Sequence, residues 1–185
     1  MLRRRSPLMS VIALCALVGA LLAASPTTRA AEKIVGPYYN PHTKSYFAYV
    51  DTNIMSGRNW ASTVPLATGR TYKGVRGRLA VVKDRETHQF LREKFGGVID
   101  KETWIGLRYF CRSRKLLWVD GTTMSNSPAG IWHPRWHRTN ITCSTSSIPY
   151  MPVYYLGGGA SMVWQASGQL KHHISFLVEF PTGKP

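Results

Sequence analysis

Short apolar runs bounded by turn residues recur along the chain, and two stretches carry helical spacing instead. Ser45–Val50 (SYFAYV) is aromatic and β-rich and predicts a first strand. Asn59-Trp60-Ala61-Ser62 opens a helical segment that ends near Leu66-Ala67, with Pro65 weakening its last turn. Leu79-Ala80-Val81-Val82 predicts another strand. Asp84 then serves as an N-cap, with Thr87 completing only part of a capping box. Glu86–Phe95 follows as a helix that keeps Phe90, Leu91 and Phe95 near one face and stops at Gly96-Gly97. In Trp104-Ile105-Gly106-Leu107, a bulky Trp beside a Gly suits a buried strand that another backbone approaches closely. Leu116–Val119 is a further strand, closed by the Asp120-Gly121 turn signal. Met151–Leu156, Ser161–Ala166 and Ile174–Phe180 predict the closing strands. Ala31–Thr43, containing proline and tyrosines, shows no periodicity, and Thr68–Arg78 (TGRTYKGVRGR) has the look of a basic loop.

Composition narrows this picture. A chain of 185 residues, 44% hydrophobic and 11% aromatic, is long enough for one domain with a real core. Arg3-Arg4-Arg5, the apolar run Val11–Ala24 and the small residues around Ala30 form a signal peptide of bacterial type, cut after Ala30. The run is short of the roughly 20 residues that span a bilayer, and an uncleaved anchor is the alternative. The expected location is therefore secreted or periplasmic. Lys and Arg number 24 against 9 Asp and Glu, a formal net charge of +15. Such a field attracts lipopolysaccharide, acidic glycans, anionic membrane or nucleic acid, and it is equally compatible with plain solubility. Beyond residue 30 only Cys111 and Cys143 remain, an even number in an oxidising compartment. They are read either as one disulfide or as two separate buried thiols.

SYFAYV, NWAS, GRLAVVKDRETHQFL, WIGL and LLWVDG follow one another and are closed by ISFLVEF. The succession resembles C-type lectin-like domains, in which these motifs stand in this order around a long loop and a closing three-strand sheet. The resemblance implies an α+β fold, two helices flanking a looped antiparallel β-sheet with a long loop region. It divides the chain into a signal peptide (1–30), a lead-in (31–44) and the domain (45–181).

Sugar-binding members of that family hold calcium through an E-P-N or Q-P-D triplet and a W-N-D triplet, since Ca²⁺ takes six to eight oxygens. Here Trp164-Gln165-Ala166 stands where W-N-D belongs, and no Asp or Glu occurs between Asp120 and Glu179. Calcium-dependent sugar chelation is therefore not expected, and no metal or cofactor is assigned. The long loop offers Trp132, His133, Arg135, Trp136, His137, Arg138 and Asn140 instead. Aromatic faces stack on sugar rings, and guanidinium groups grip phosphate, sulfate or carboxylate. Against this, either Trp132 or Trp136 is equally read as the plug that seals the loop onto the core. Arg70, Lys73 and Arg76 of the basic loop complete the candidate ligand-binding set. The histidines, His172-His173 included, are read as ordinary surface residues. No G-x-S-x-G elbow, paired-carboxylate spacing or phosphate loop is present, so no enzyme is expected. The reading is a module that binds an anionic surface glycan or a protein partner without calcium; nucleic acid is not expected. The alternative is an envelope or surface interaction protein held to lipopolysaccharide or membrane by its charge.

Overall fold

The computed structural model describes residues 31–126, 130–134, 149–157 and 162–185. Its strands are β1 (Lys33–Asn40), β2 (Ser45–Asp51), β3 (Thr71–Tyr72), β4 (Val75–Arg76), β5 (Arg78–Leu79), β6 (Thr103–Phe110), β7 (Lys115–Trp118), β8 (Thr123–Met124), β9 (Tyr150–Tyr155), β10 (Trp164–Ala166) and β11 (Ser175–Phe180). The helices are α1 (Trp60–Thr68) and α2 (Arg85–Phe95). The main sheet runs β1-β2-β11-β6-β7-β8, with β5 added to β11 and the β9–β10 pair added to β6. This is the expected α+β arrangement, with one refinement. The sheet is mixed, because β11 lies parallel to β6 through Ser175–Thr103 and Phe176–Trp104.

Both helices begin where the side chains allow. Asn59 Oδ1 accepts from the Ser62 amide at 2.8 Å, and Asp84 Oδ1 accepts from the Thr87 amide at 2.7 Å. Each cap satisfies a donor that has no partner inside its own helix. In α2 the buried residues Thr87, Leu91 and Phe95 recur every four positions, so one narrow stripe faces the core. The cations Arg92 and Lys94 occupy its last turn, where they complement the helix dipole.

The WIGL strand is the hub. Trp104 is fully buried, and its indole N–H donates to the Arg58 carbonyl at 2.8 Å. In return the Trp60 indole N–H donates to the Ile105 carbonyl at 2.7 Å. These two bonds pin the start of α1 across β6. The Gly106 amide donates to the Ala80 carbonyl at 2.9 Å, and its own carbonyl accepts from the Val119 amide at 2.8 Å. A Cβ at Gly106 would stand 2.7 Å from the Leu79 carbonyl oxygen and 3.0 Å from that of Ala80. The close backbone approach expected beside the tryptophan is thus present.

Three segments depart from the sequence reading. The lead-in without periodicity is strand β1, paired along β2 from Lys33–Asp51 to Asn40–Ser45. Its register shifts between Val35 and Tyr38, around Pro37, which has no N–H to donate; the shift breaks the alternation that would have revealed a strand. The basic stretch after α1 is not a featureless loop. It folds as the β3–β4 hairpin, turning at Lys73 and Gly74, both with positive φ. The strand expected over Leu79–Val82 pairs with β11 only through Arg78–Leu79, although Ala80 still donates to Leu177 at 2.9 Å.

Because two of the three nearest contacts at Gly106 are with backbone carbonyls, which cannot swing aside as the Val119 methyl can, Gly106→Ala is expected to destabilise the protein by about 1–3 kcal/mol. Gly97→Ala, where nothing lies within 4 Å of the added carbon, is expected to stay within about 0.5 kcal/mol of wild type. Urea denaturation followed by tryptophan fluorescence measures both.

Candidate functional site

The region that carries ligands in the resembled family is built here on β9 and β10. Trp164 pairs with Tyr155, Gln165 with Tyr154 and Ala166 with Val153. Trp164 is fully buried and meets Trp118 edge-on at 5.8 Å. Trp132 runs beside it as a parallel bridge, its ring perpendicular to that of Trp164 at 5.4 Å. The Trp164 amide donates to the Ile131 carbonyl at 2.6 Å, and the His133 amide donates to the Trp164 carbonyl at 2.9 Å. Trp132 therefore acts as a plug: half-buried against the core, it closes the described part of the loop onto β10. Ala166 is buried, so the position of the missing carboxylate is filled by packed methyl. Arg135, Trp136, His137, Arg138 and Asn140 lie outside the described residues, as does Cys143. Cys111 is disulfide-bonded.

The second candidate cluster stands apart. Tyr72 of the β3–β4 hairpin packs on Tyr46 at 4.8 Å and on Phe180 at 5.7 Å. These belong to a core cluster around Trp60, Trp104 and Phe176, whereas Trp132 packs on the one around Trp118 and Trp164. Two of the three cations are already engaged. Arg70 pairs with Glu32 and lies over the Phe176 ring at 5.5 Å. Lys73 donates to the Tyr46 hydroxyl at 2.7 Å, a bond that raises its pKa, and sits above that ring at 4.8 Å. Arg76 is exposed on β4. The hairpin thus presents one cation outright and holds the other two against aromatic faces.

Other acids are occupied structurally. Glu179, 3% exposed, accepts from the Ser45 hydroxyl, the Arg78 guanidinium and the Val81 amide at 2.9–3.1 Å. Asp120 accepts from the Thr122 amide at 3.0 Å and pairs with Lys83 at 2.9 Å. Among the described residues one trio, His42, Asp84 and Glu86, brings metal-type ligand atoms within 4.8 Å of one another. Asp84 is already the cap of α2 and lies 3.2 Å from His42, so the trio is accounted for without an ion.

The histidines correct the sequence reading. His173 is not a surface residue: it is 6% exposed, with ring centroids 4.1 Å from Trp104 and 4.5 Å from Tyr154. Its backbone bridges Arg58, which places it behind the WIGL strand. Burial pulls its pKa down to about 4. His88, set on α2, stacks on Tyr155 with Nδ1 2.9 Å from the hydroxyl, and burial followed by the nearby Arg92 charge lowers it likewise to about 4. Periodicity marks Leu91 and Phe95 as core but does not reveal these imidazoles, because a polar letter hides an inward-facing ring. Sequence reasoning also passed over the basic turn of the β6–β7 hairpin, where Arg112, Arg114 and Lys115 are exposed.

Residues 71–151 match the family model of the lectin C-type domain. No curated protein matches the sequence. Solved structures share the fold at low identity. The C-type lectin CEL-I from Cucumaria echinata is 14% identical, superposes with a TM-score of 0.51 and covers 73% of this chain and 89% of its own. The C-type carbohydrate-recognition domain of cow CD23, solved in the presence of an oligosaccharide, is 16% identical at a TM-score of 0.52, covering 74% and 87%. The Ca²⁺-independent C-type lectin SPL-2 from Saxidomus purpuratus is 16% identical at 0.51, covering 75% and 87%.

The buried His173 and the half-buried His88 set a pH dependence. Each imidazole titrates near 6.5 when unfolded and near 4 when folded. Between those values the unfolded chain binds more protons, so stability is complete above about pH 6.5 and is lost as the pH falls toward 4. Thermal melts from pH 7 to pH 4 are expected to show this decline. His173→Phe is expected to flatten it by up to about 1.4 kcal/mol per pH unit. An unchanged slope in that variant would contradict the buried, neutral assignment.

Proposed function

Since the chain carries a C-type lectin-like domain, we propose that the protein is an exported binding module that recognises an anionic glycan without calcium. The observation that carries this reading is chemical. From residue 121 to residue 178 the chain contains no side-chain carboxylate, and β9 and β10, the counterpart of the ligand region in the resembled family, lie within that span. A hard divalent cation has nothing there to replace its water shell except neutral oxygens. The shared fold of SPL-2, a Ca²⁺-independent C-type lectin, supports the same reading, and the excess of 24 basic over 9 acidic residues supports an anionic ligand. Export rests on the Arg3–Arg5 and Val11–Ala24 pattern of the N-terminal segment. The disulfide at Cys111 fits an oxidising compartment, with Cys143 as its proposed partner.

The same charge favours a second reading, attachment to lipopolysaccharide or an anionic membrane without sugar specificity. Salt separates the two. Purely electrostatic attachment between exposed charges collapses as the screening length shrinks, whereas stacked, shape-matched contact persists in part.

A glycan array probed with the purified protein in EDTA and in calcium, at low and moderate salt, tests the proposal. Binding to a defined set of acidic glycans is expected, unchanged by EDTA. Binding only with calcium would overturn the calcium-independent reading. Binding to every anionic surface, abolished at moderate salt, would favour the second. No glycan binding at all would move the weight to a protein partner.

A further inference from the structure

The WIGL strand carries one more side chain whose surroundings call for a partner. Arg108 stands two residues before Phe110 on β6, so both project from the same face of the strand. Across the ladder Phe110 pairs with Tyr150 of β9, their rings 5.8 Å apart. Trp60, at the start of α1, meets Tyr150 edge-on at 5.9 Å. The Arg108 guanidinium carbon sits among these three rings, 4.8 Å from Trp60, 5.0 Å from Phe110 and 5.2 Å from Tyr150.

This cation is half-buried, and its Nε is fully covered yet has no hydrogen-bond partner. Among the described residues no carboxylate pairs with it. Burial lowers its pKa, with the Tyr150 phenol the one opposing influence. Ring faces attract a guanidinium but accept few of its five N–H bonds, and buried donors without acceptors are costly. Among the described residues several other cations do have a carboxylate: Arg78 has Glu179, Lys101 has Asp51, Lys83 has Asp120 and Arg70 has Glu32. Arg108 departs from that pattern. The stretch around it also lacks acids altogether, from Thr103 to Val119, while Arg112, Arg114 and Lys115 are exposed on the adjoining turn.

From this geometry we infer a second ligand subsite, centred on Arg108 and walled by Trp60, Phe110 and Tyr150, that takes the oxyanion of an acidic sugar. The inference rests on the anionic-glycan reading and assigns it a place. A carboxylate or sulfate group supplies two oxygens in the plane of the guanidinium, and the attached sugar ring lies against the half-buried faces of Phe110 and Tyr150. The turn cations raise the local concentration of such a ligand. The subsite is separate from the described part of the long loop, residues 130–134. Tyr150 and Trp60 belong to the core cluster on the α1 side, whereas Tyr109, Cys111 and Trp132 pack on the other cluster. Alternation along β6 sends Arg108 and Phe110 to one face and Tyr109 and Cys111 to the other.

Two probes test this with the purified protein: a heparin hexasaccharide, which offers sulfate and carboxylate, and an oligogalacturonate, which offers carboxylate alone. The Nε–Hε resonance of Arg108 is followed by NMR during each titration, and affinities are compared with those of Arg108→Gln. A saturable shift of the Arg108 resonance is expected with at least one probe. A loss of affinity of about tenfold or more is expected in Arg108→Gln, with Arg112→Gln losing less. The probe that shifts the resonance identifies the oxyanion. If wild type binds a probe while the Arg108 resonance stays fixed and Arg108→Gln binds equally well, the subsite is overturned and the anionic-glycan reading stands. If wild type binds neither probe nor any acidic glycan, that reading falls and the subsite with it. Should Arg108→Gln fail to fold, the wild-type resonance alone decides.

Discussion

A single glycine sets how closely this fold can pack. At Gly106 the backbone of β6 is held between Ala80 on one side and Val119 on the other, by hydrogen bonds of 2.9 and 2.8 Å. No side chain fits in that space. The consequences spread outward. The segment after β5 is drawn in until Ala80 also reaches Leu177 of β11, so β11 and β6 come to lie in one sheet. Val119 is held directly after β7, which fixes where the Asp120-Gly121 turn falls. With β6 immobilised, Trp104 and Ile105 present the indole and carbonyl that anchor α1, and Trp60 is carried into place beside Tyr150.

Around this hub several of the few acids are spent on structure. Glu179 is buried beneath Arg78 and Ser45, Asp120 closes its turn and holds Lys83, Asp51 holds Lys101, and Asp84 caps α2. The balance of charge is therefore not spread evenly. Carboxylates hold strand ends and helix starts together, and none lies between Asp120 and Glu179, the span that includes β9 and β10. The absence of carboxylates from that span and the excess of basic residues are two sides of one distribution.

Much of this was legible in the sequence because its signals are local. A Trp beside a Gly announces close backbone packing, Asp84 announces a cap, and Leu91 and Phe95 announce the buried stripe of α2. What was not legible depends on partners distant in the chain. Strand β1 is hidden because its register shifts around Pro37 and its identity comes from β2, not from its own alternation. The β3–β4 hairpin is hidden because its flanking strands are only two residues each and its glycines suggest mobility. His173 looks polar and exposed, yet Trp104 and Tyr154 enclose it from β6 and β9. Arg108 shows the same limit. Its spacing to Phe110 is visible, but Trp60 and Tyr150 arrive from elements 48 and 42 residues away. Of the long-loop candidates, Trp132 and His133 fall within the described residues, and there Trp132 serves the core as well as any ligand.

The central proposal is that this domain keeps the C-type lectin architecture and binds without calcium. The most direct measurement is a calcium titration followed by calorimetry and by the backbone amide resonances of Trp164, Gln165 and Ala166. The account predicts no saturable heat and no movement of those amides at millimolar calcium, the range in which even weak extracellular calcium sites fill. Saturable binding with shifts confined to β10 would show that neutral oxygens suffice there, and would contradict it.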